Sequence, residues 1–289
     1  MNYIFHILIT VGIYTMLGLS LNLIVGYGGM LTLCHAAFYG IGAYVSALLA
    51  VNVGFHFVWC LIIAAVVTAI VAYSISIPTI RLQGDFFVLA TLGFQMIVFS
   101  ILNNCTELTR GPYGILGIPR PSFFGFTIST PGLFLTLTLV GVSLVCFAMK
   151  LLTHSPYART LQGVRDDEVA ASALGKNVVK FKRSAFVIGA TIASCAGVLY
   201  AAYTRYIDPT SFTLDESVFI LCVVIIGGAG NLRGPIVGAI ILVLLPELLR
   251  FLKIPDAVAA NARQVLYGLL LVGMMRFRPQ GIAGKYAFD

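Results

Sequence analysis

Three consecutive acidic side chains, Asp166, Asp167 and Glu168, form the densest group in this sequence whose residue types could do chemistry. Neighbouring carboxylates can bind a metal ion or act as a general acid–base pair when further ligands complete the site. No histidine stands at ligand spacing from this cluster, and the six cysteines are scattered without a C-x-x-C pair. Acidic residues at the start of a helix more often stabilise its positive end. The cluster therefore indicates a helix N-terminus rather than a catalytic or metal site.

The residues that follow the acids predict a short helix. The run V-A-A-S-A-L at 169–174 is followed by Gly175, a common helix stop. A helix of this length is not stable alone. We therefore expect it to be held between the rest of the chain and a partner protein, which the small side chains of Ala170, Ala171 and Ala173 would allow to approach closely. The alternative is that the acids serve only to cap the helix.

The composition indicates that lipid surrounds most of this chain, because 59% of its residues are hydrophobic and only 10% are charged. A membrane-spanning helix needs about 20 apolar residues. Eight runs approach this length, and they cover residues 3–25, 30–51, 57–78, 86–103, 131–152, 184–204, 234–252 and 264–277. A further run, Val218 to Ile226, is too short to cross as a straight helix. The predicted fold is an all-α, polytopic transmembrane helical bundle of about eight to ten spans.

Two glycine-rich segments interrupt these apolar runs, one at 26–29 and one at 227–230, and they predict half-helices. Non-helical backbone at membrane depth is tolerated only where protein or water covers it. The breaks and a few uncharged polar residues in the spans could line a transport pathway, although close helix packing and interhelical hydrogen bonds use the same residue types. The pathway candidates are Asn22, Gly26, Gly29, Thr91, Gln95, Gly227 and Gly228.

The distribution of basic residues predicts the orientation. Six of the lysines and arginines fall within 153–183, which places this loop in the cytoplasm by the positive-inside rule. The loops at 104–130 and 205–216 then face outward, whereas charge leaves the N-terminal side undecided. The formal net charge of +7 follows this loop pattern and does not form a nucleic-acid-binding face. His35 and His56 each stand alone beside apolar segments, which favours packing over proton transfer.

The basic loop at 153–183 carries the first resemblance to a known family. The pattern Glu168-x-Ala170-Ala171-x-x-x-Gly175 resembles the cytoplasmic coupling helix of ABC importer permeases, which docks into the ATPase subunit. The whole stretch SPYARTLQGVRDDEVAASALGKN is similar to the same loop of LivM-type branched-chain amino acid permeases. Further similar blocks lie at 21–49, 84–94, 102–115, 223–239 and 266–282, so the resemblance covers nearly the full chain. It implies an ATPase-docking set of Arg165, Asp166, Asp167, Glu168, Ala170, Ala171, Leu174 and Gly175.

The resemblance also implies the assembly. Residues 1–289 would form one permease domain of the bacterial inner membrane, with a cytoplasmic coupling loop at about 153–183. Its partners would be a homologous LivH-like permease subunit, two cytoplasmic ATPase subunits and a periplasmic solute-binding protein. The chain itself would catalyse no reaction and bind no metal or cofactor. It has no G-x-x-x-x-G-K-[ST] motif, so ATP would bind the partner subunits.

The cargo is less constrained than the class of transporter. The family often has a glutamate and an arginine where this chain has Met96 and Phe99, and the outer segment 110–113 also departs from the family pattern. Branched-chain amino acids are the expected cargo, and urea or another small amide is the alternative. An ion-coupled transporter or an intramembrane enzyme would need carboxylates or other reactive groups in mid-span, which are nearly absent here.

Overall fold

The computed structural model describes residues 2–82, 84–123, 126–251, 265, 267–274, 276, 278 and 280–283. Most of them are helical. The helices are α1 (Asn2–Asn22), α2 (His35–Leu48), α3 (Phe57–Thr79), α4 (Asp85–Asn104), α5 (Thr106–Thr109), α6 (Pro131–His154), α7 (Pro156–Asp166), α8 (Glu168–Ala173), α9 (Val178–Thr204), α10 (Leu214–Gly227) and α11 (Arg233–Phe251). Two π-helical segments, Leu23–Tyr27 and Leu49–Val53, extend α1 and α2.

Short non-α elements lie at one end of the bundle. They are the 3-10 turns Gly111–Tyr113 and Pro209–Phe212 and the two-residue strands β1 (Ile115–Leu116), β2 (Ser122–Phe123), β3 (Phe126–Thr127) and β4 (Tyr206–Ile207). Strand β1 pairs antiparallel with β4, and β2 pairs antiparallel with β3. The first pairing joins the loop after α4 to the loop after α9. Both loops therefore lie at the same end of the bundle, as the charge pattern predicted.

Six of the predicted spans are confirmed as helices long and apolar enough to cross a membrane: α1, α2, α3, α4, α6 and α9. The run at 234–252 corresponds to α11, and the run at 218–226 lies within the 14-residue α10. The run at 264–277 lies partly outside the described residues, and its segment 267–274 is helical. The predicted start of the second span at residue 30 was wrong, because residues 28–34 are not helical.

The bundle has a protein-covered core and a lipid-facing periphery. Helices α1, α2, α9 and α10 contribute most of the buried side chains, whereas α3, α4 and α6 expose many apolar ones. Helices α2 and α9 pack closely at small residues: a Cβ placed on Gly197 would overlap the Tyr39 carbonyl oxygen. Close backbone approach at small residues is the usual way in which membrane helices associate.

Contacts between helix ends relate the start of α1 to the loops at the two ends of the bundle. The His6 Nδ1 atom lies 2.8 Å from the Tyr203 hydroxyl, near the outer end of α9. The opposite end of the first span contacts Arg165 in the basic loop. The start of α1 therefore lies at the end of the bundle that holds the 205–216 loop, and the end of the first span lies beside the 153–183 loop; the charge pattern predicts that these are the outer and cytoplasmic ends.

Candidate coupling site and helix breaks

The short helix predicted after the acid cluster is confirmed as α8. It begins after Asp167, whose carboxylate accepts hydrogen bonds from the Val169 and Ala170 amides at 2.8 and 2.9 Å. It ends before Gly175, which has a φ of +75°. One detail of the prediction was wrong: the three acids do not share one helical turn. Asp166 ends α7, and the extended backbone of Asp167 separates the two helices.

Helix α8 has an outward and an inward face. Val169 and Leu174 are 80% and 79% exposed, and Ala170 is exposed beside them. These side chains face away from the rest of the chain. Ala171, in contrast, is only 7% exposed and packs within the chain. Sequence reasoning missed Val169, although an apolar residue in a charged loop was an available signal.

The inward face of α8 is connected to α9 by an ion pair between Glu168 and Lys182. The Lys182 side chain is 12% exposed and that of Glu168 is 40% exposed. Because Glu168 remains partly exposed, the pair is screened by water, and pairs of this kind contribute about 0–1 kcal/mol. The pair links the start of α8 to the second turn of α9.

Tyr157 connects α7 to the same part of α9. Its hydroxyl lies 2.7 Å from the Ser184 hydroxyl, and its ring lies 5.5 Å from that of Phe181. Burial raises the pKa of Tyr157, and the hydrogen bond to Ser184 offsets part of this rise. The phenol therefore stays neutral at physiological pH and anchors α7 by packing and hydrogen bonding.

Arg165 points inward, to the first glycine-rich break. Its Nη1 atom donates to the Gly26 carbonyl oxygen at 2.7 Å, and its Nη2 atom lies 2.8 Å from Asp166 Oδ1. The side chain is 11% exposed. Gly29, at a φ of +66°, packs against it, and a Cβ on Gly29 would lie 2.5 Å from Arg165 Cγ. One residue of the predicted docking set thus contacts two residues of the predicted pathway set.

Asn22 joins the two breaks. Its Oδ1 atom accepts a hydrogen bond from the Gly230 amide at 2.9 Å, and its Nδ2 atom donates to the Asn231 carbonyl at 3.0 Å. Asn22 is fully buried. A Cβ on Gly26 would overlap the Gly230 amide nitrogen, so the backbones of the two breaks are in contact. The two segments, about 200 residues apart in sequence, meet at one point near the cytoplasmic end.

The second break is held by backbone contacts. Helix α10 ends at Gly227, and Gly228 follows with a φ of +109°. A Cβ on Gly227 would overlap the carbonyl oxygen of Gly234 in the next helix. The Ile282 and Ala283 amides donate to the Ile226 and Gly227 carbonyls at 3.0 and 2.9 Å. This break is thus fixed from both sides by main-chain atoms.

Thr91 and Gln95 support the non-helical stretch that follows the first break. The Leu33 amide donates to Thr91 Oγ1 at 3.2 Å, and the Ala37 amide donates to Gln95 Oε1 at 2.7 Å. Gln95 also donates to the Phe212 carbonyl at 2.8 Å. Both polar side chains are fully buried and satisfy backbone groups that no helix satisfies. In this conformation they hold the start of α2, and a role in the pathway remains a prediction.

The two histidines singled out in the sequence occupy different settings. His35 is fully buried, with Nε2 2.6 Å from the Ser20 hydroxyl, whereas His56 is exposed before α3. Within the described part of the chain, no three histidine, cysteine, aspartate or glutamate side chains come together as a metal site would require.

Comparison with known proteins gives consistent matches. A family model described as "Branched-chain amino acid transport system / permease component" matches residues 3–275. The LivM permease proteins of Salmonella typhimurium LT2 and Escherichia coli K12 are 37% and 38% identical over 293 residues, which cover 93% of this chain and 67% of each relative. The LivH permease protein of E. coli K12 is 27% identical, covering 94% of this chain and 91% of that protein. No solved structure matches.

Proposed function

The chain belongs to the family of permease components of branched-chain amino acid transport systems, and on this premise we propose that it carries branched-chain amino acids into the cell as one of two permease subunits of an ATP-driven importer. The observation that carries the mechanism is the position of Arg165, which leads from the predicted ATPase-docking loop directly to the first helix break. The six apolar helices make the protein a multi-pass membrane protein.

The proposed assembly needs further subunits. Similarity to both LivM and LivH proteins supports pairing with a homologous second permease subunit. Two cytoplasmic ATPase subunits would supply the energy, and a periplasmic binding protein would deliver the cargo at the bacterial inner membrane. The chain would contribute no catalytic group and no cofactor of its own.

In the proposed mechanism, the outward face of α8 docks on an ATPase subunit through Val169 and Leu174. When ATP binding moves that subunit, α8 moves with it. The movement passes to α9 through Glu168 and Lys182, and to the Gly26 carbonyl through Arg165. Glycine-rich backbone bends at lower cost than the helix interior. The first break therefore changes shape, and the spans reorient between outward and inward openings.

Asn22 extends this connection to the second break. Its two hydrogen bonds to Gly230 and Asn231 hold the first break against the second. Because the fully buried polar residues Asn22, Thr91 and Gln95 are uncharged, the path between the spans suits a cargo with an apolar side chain. No bond is made or broken by this chain; it converts the movement of α8 into a change in access.

The function is tested by uptake of labelled leucine into proteoliposomes that contain this chain, its co-encoded permease and ATPase subunits, external binding protein and internal ATP. We expect ATP-dependent leucine uptake that excess urea does not reduce. Uptake of urea instead, with no leucine uptake, would keep the permease mechanism and overturn the proposed cargo.

The docking surface is tested by a charge at each exposed apolar position of α8. The variant Val169→Glu with Leu174→Glu should lose the ATPase subunits during purification. Leu116→Glu is the matched control, because Leu116 is also apolar, 62% exposed and lies in β1 at the outer end. Retention of the ATPase subunits by the α8 variant would contradict docking through this face.

A further inference from the structure

A cavity of about 350 Å³ opens at the cytoplasmic end of the bundle. Its walls come from the segment after the first break, from the turn between α3 and α4, and from the first residues of α8 and α9. A volume in this range is sufficient for a small-molecule ligand, for which pockets of about 300–1,000 Å³ are usual. None of the roles described above uses this space.

One wall of the cavity is aliphatic. Met30 and Ile80 are 5% and 6% exposed, and Val88 is half-buried beside them. These side chains come from three separate segments, so they surround the space rather than lying along one helix. Such a wall favours an apolar, branched group through the area that it removes from water.

The lining also includes three charged side chains. Lys182 supplies an ammonium group, and Asp85 and Glu168 supply carboxylates. Lys182 pairs with Glu168, whereas Asp85 has no ion-pair partner among the described residues. A cation and an unpaired anion beside an aliphatic wall are complementary to a molecule with a carboxylate, an ammonium group and an apolar side chain. Free aliphatic α-amino acids have this chemistry.

We propose that this cavity binds a free aliphatic amino acid from the cytoplasm, with its ammonium group on Asp85, its carboxylate on Lys182 and its side chain against Met30, Ile80 and Val88. The proposal rests on the proposed function, because the ligand belongs to the class of the cargo. It adds a second site, on the product side of the membrane.

The position of the cavity gives this site a consequence for transport. A bound carboxylate competes with Glu168 for Lys182 and so weakens the connection between α8 and α9. That connection is part of the path by which the ATPase subunit moves the spans. Accumulated cargo inside the cell therefore slows its own uptake.

The test uses the complete transporter in proteoliposomes loaded with ATP and with increasing unlabelled internal leucine. The measured quantity is the initial rate of external labelled leucine uptake, relative to the rate of the same variant without internal leucine. We expect internal leucine to lower this ratio. Internal 4-methylpentanoate, which has the same carbon skeleton but no ammonium group, should need about tenfold or higher concentrations to lower it equally.

Two variants address the site directly. Asp85→Asn removes the charge that pairs with the ammonium group, and the half-inhibiting leucine concentration should rise about tenfold or more. Val88→Trp fills the cavity and should abolish inhibition. Leu89→Trp is the matched control, because Leu89 is adjacent, 61% exposed and absent from the cavity lining, and it should keep the wild-type response.

The outcomes separate this site from the proposed function. If the wild-type transporter takes up leucine but internal leucine has no effect, the cytoplasmic site is wrong and the proposed function stands. Unchanged inhibition in both Asp85→Asn and Val88→Trp would also overturn the site, as would equal inhibition by 4-methylpentanoate. Absence of any leucine uptake by the wild-type transporter would instead contradict the proposed function.

Discussion

The two glycine-rich breaks meet at Asn22 but are held in different ways. The first break, at 26–29, contacts a flexible side chain, since Arg165 donates to the Gly26 carbonyl and packs on Gly29. The second break, at 227–230, is enclosed by main-chain atoms of α11 and of residues 282 and 283. A side chain can change its contacts without unfolding a helix, whereas packed backbones move as one body.

This difference gives the two breaks different roles in the bundle. The first break can respond to a movement of α7 and α8, because its contact is made by a residue of that loop. The second break gives a fixed surface against which the first is held by Asn22. The comparison therefore predicts that substitutions at the second break damage folding, and that substitutions at the first damage coupling.

The largest effect is expected for Gly227→Ala. The new Cβ would overlap the Gly234 carbonyl oxygen, and neither backbone can withdraw without separating α10 from α11. Overpacking of a core costs about 1–3 kcal/mol when side chains can adjust, and a backbone overlap costs more. We expect most of the protein to be lost from the monodisperse fraction in size-exclusion chromatography after detergent extraction.

Gly93→Ala is the control for this substitution. Gly93 also lies within a spanning helix, but an added Cβ meets nothing within 4 Å. This variant should be extracted like the wild type. Equal recovery of the two variants would show that the second break is not a fixed surface, and the comparison between the breaks would fail.

A smaller effect, on coupling, is expected for Arg165→Ala. Hydrogen bonds to charged groups contribute about 1.5–3 kcal/mol, which corresponds to about tenfold or more in an equilibrium. The variant should fold, hydrolyse ATP and take up leucine about tenfold more slowly, so that uptake per ATP falls. Arg159→Ala is the control, since Arg159 is an exposed arginine on the same helix. A parallel fall of ATP hydrolysis and uptake would contradict a role in transmission.

Gly29→Ala at the first break is the counterpart of Gly227→Ala at the second, because each adds one Cβ atom to a glycine. The left-handed conformation of Gly29 costs an alanine about 1–2 kcal/mol. The nearest atom to the new Cβ belongs to the Arg165 side chain, which can move away. We therefore expect a folded protein with reduced uptake per ATP, in contrast to Gly227→Ala.

A double-mutant cycle sharpens this expectation. If Gly29→Ala acts by displacing Arg165, its effect on uptake should be smaller in the Arg165→Ala background than in the wild type. Fully additive effects would show that Gly29 acts through backbone strain alone.

The elements of this fold were predictable from the sequence where local signals define them. Apolar run length located the spans, and the acids with Gly175 located α8, because helix caps act over a few residues. The start of α2 was misplaced because residues 28–34 are apolar yet non-helical. The Leu33 amide in this stretch and the Ala37 amide in the first turn of α2 donate to Thr91 and Gln95, residues about 60 positions away, and no local sequence pattern predicts these contacts.

The sequence also selected the candidate docking residues without resolving which way each one faces. Ala171 and Arg165 point inward and Val169 points outward, because the separation of α7 from α8 at Asp167 sets the rotation of the second helix. A single helix across the acids, as the sequence pattern favours, would have placed these side chains differently. The contact between Arg165 and the first break was therefore visible only in three dimensions.

The smallest expected effect is that of Asp167→Ala. It tests whether the separation of α7 from α8 at Asp167 matters for the contact of Arg165 with the first break. The substitution removes the cap of α8, for which the usual cost is about 0.5–2 kcal/mol. We expect an uptake rate reduced severalfold with normal membrane insertion. Asp167→Asn keeps an oxygen that can accept from the Val169 and Ala170 amides and should retain most of the uptake. If Asp167→Asn lowers uptake as much as Asp167→Ala, the charge of Asp167 and not its hydrogen bonds to the helix start supports coupling. The orientation of α8 then does not depend on the cap at Asp167.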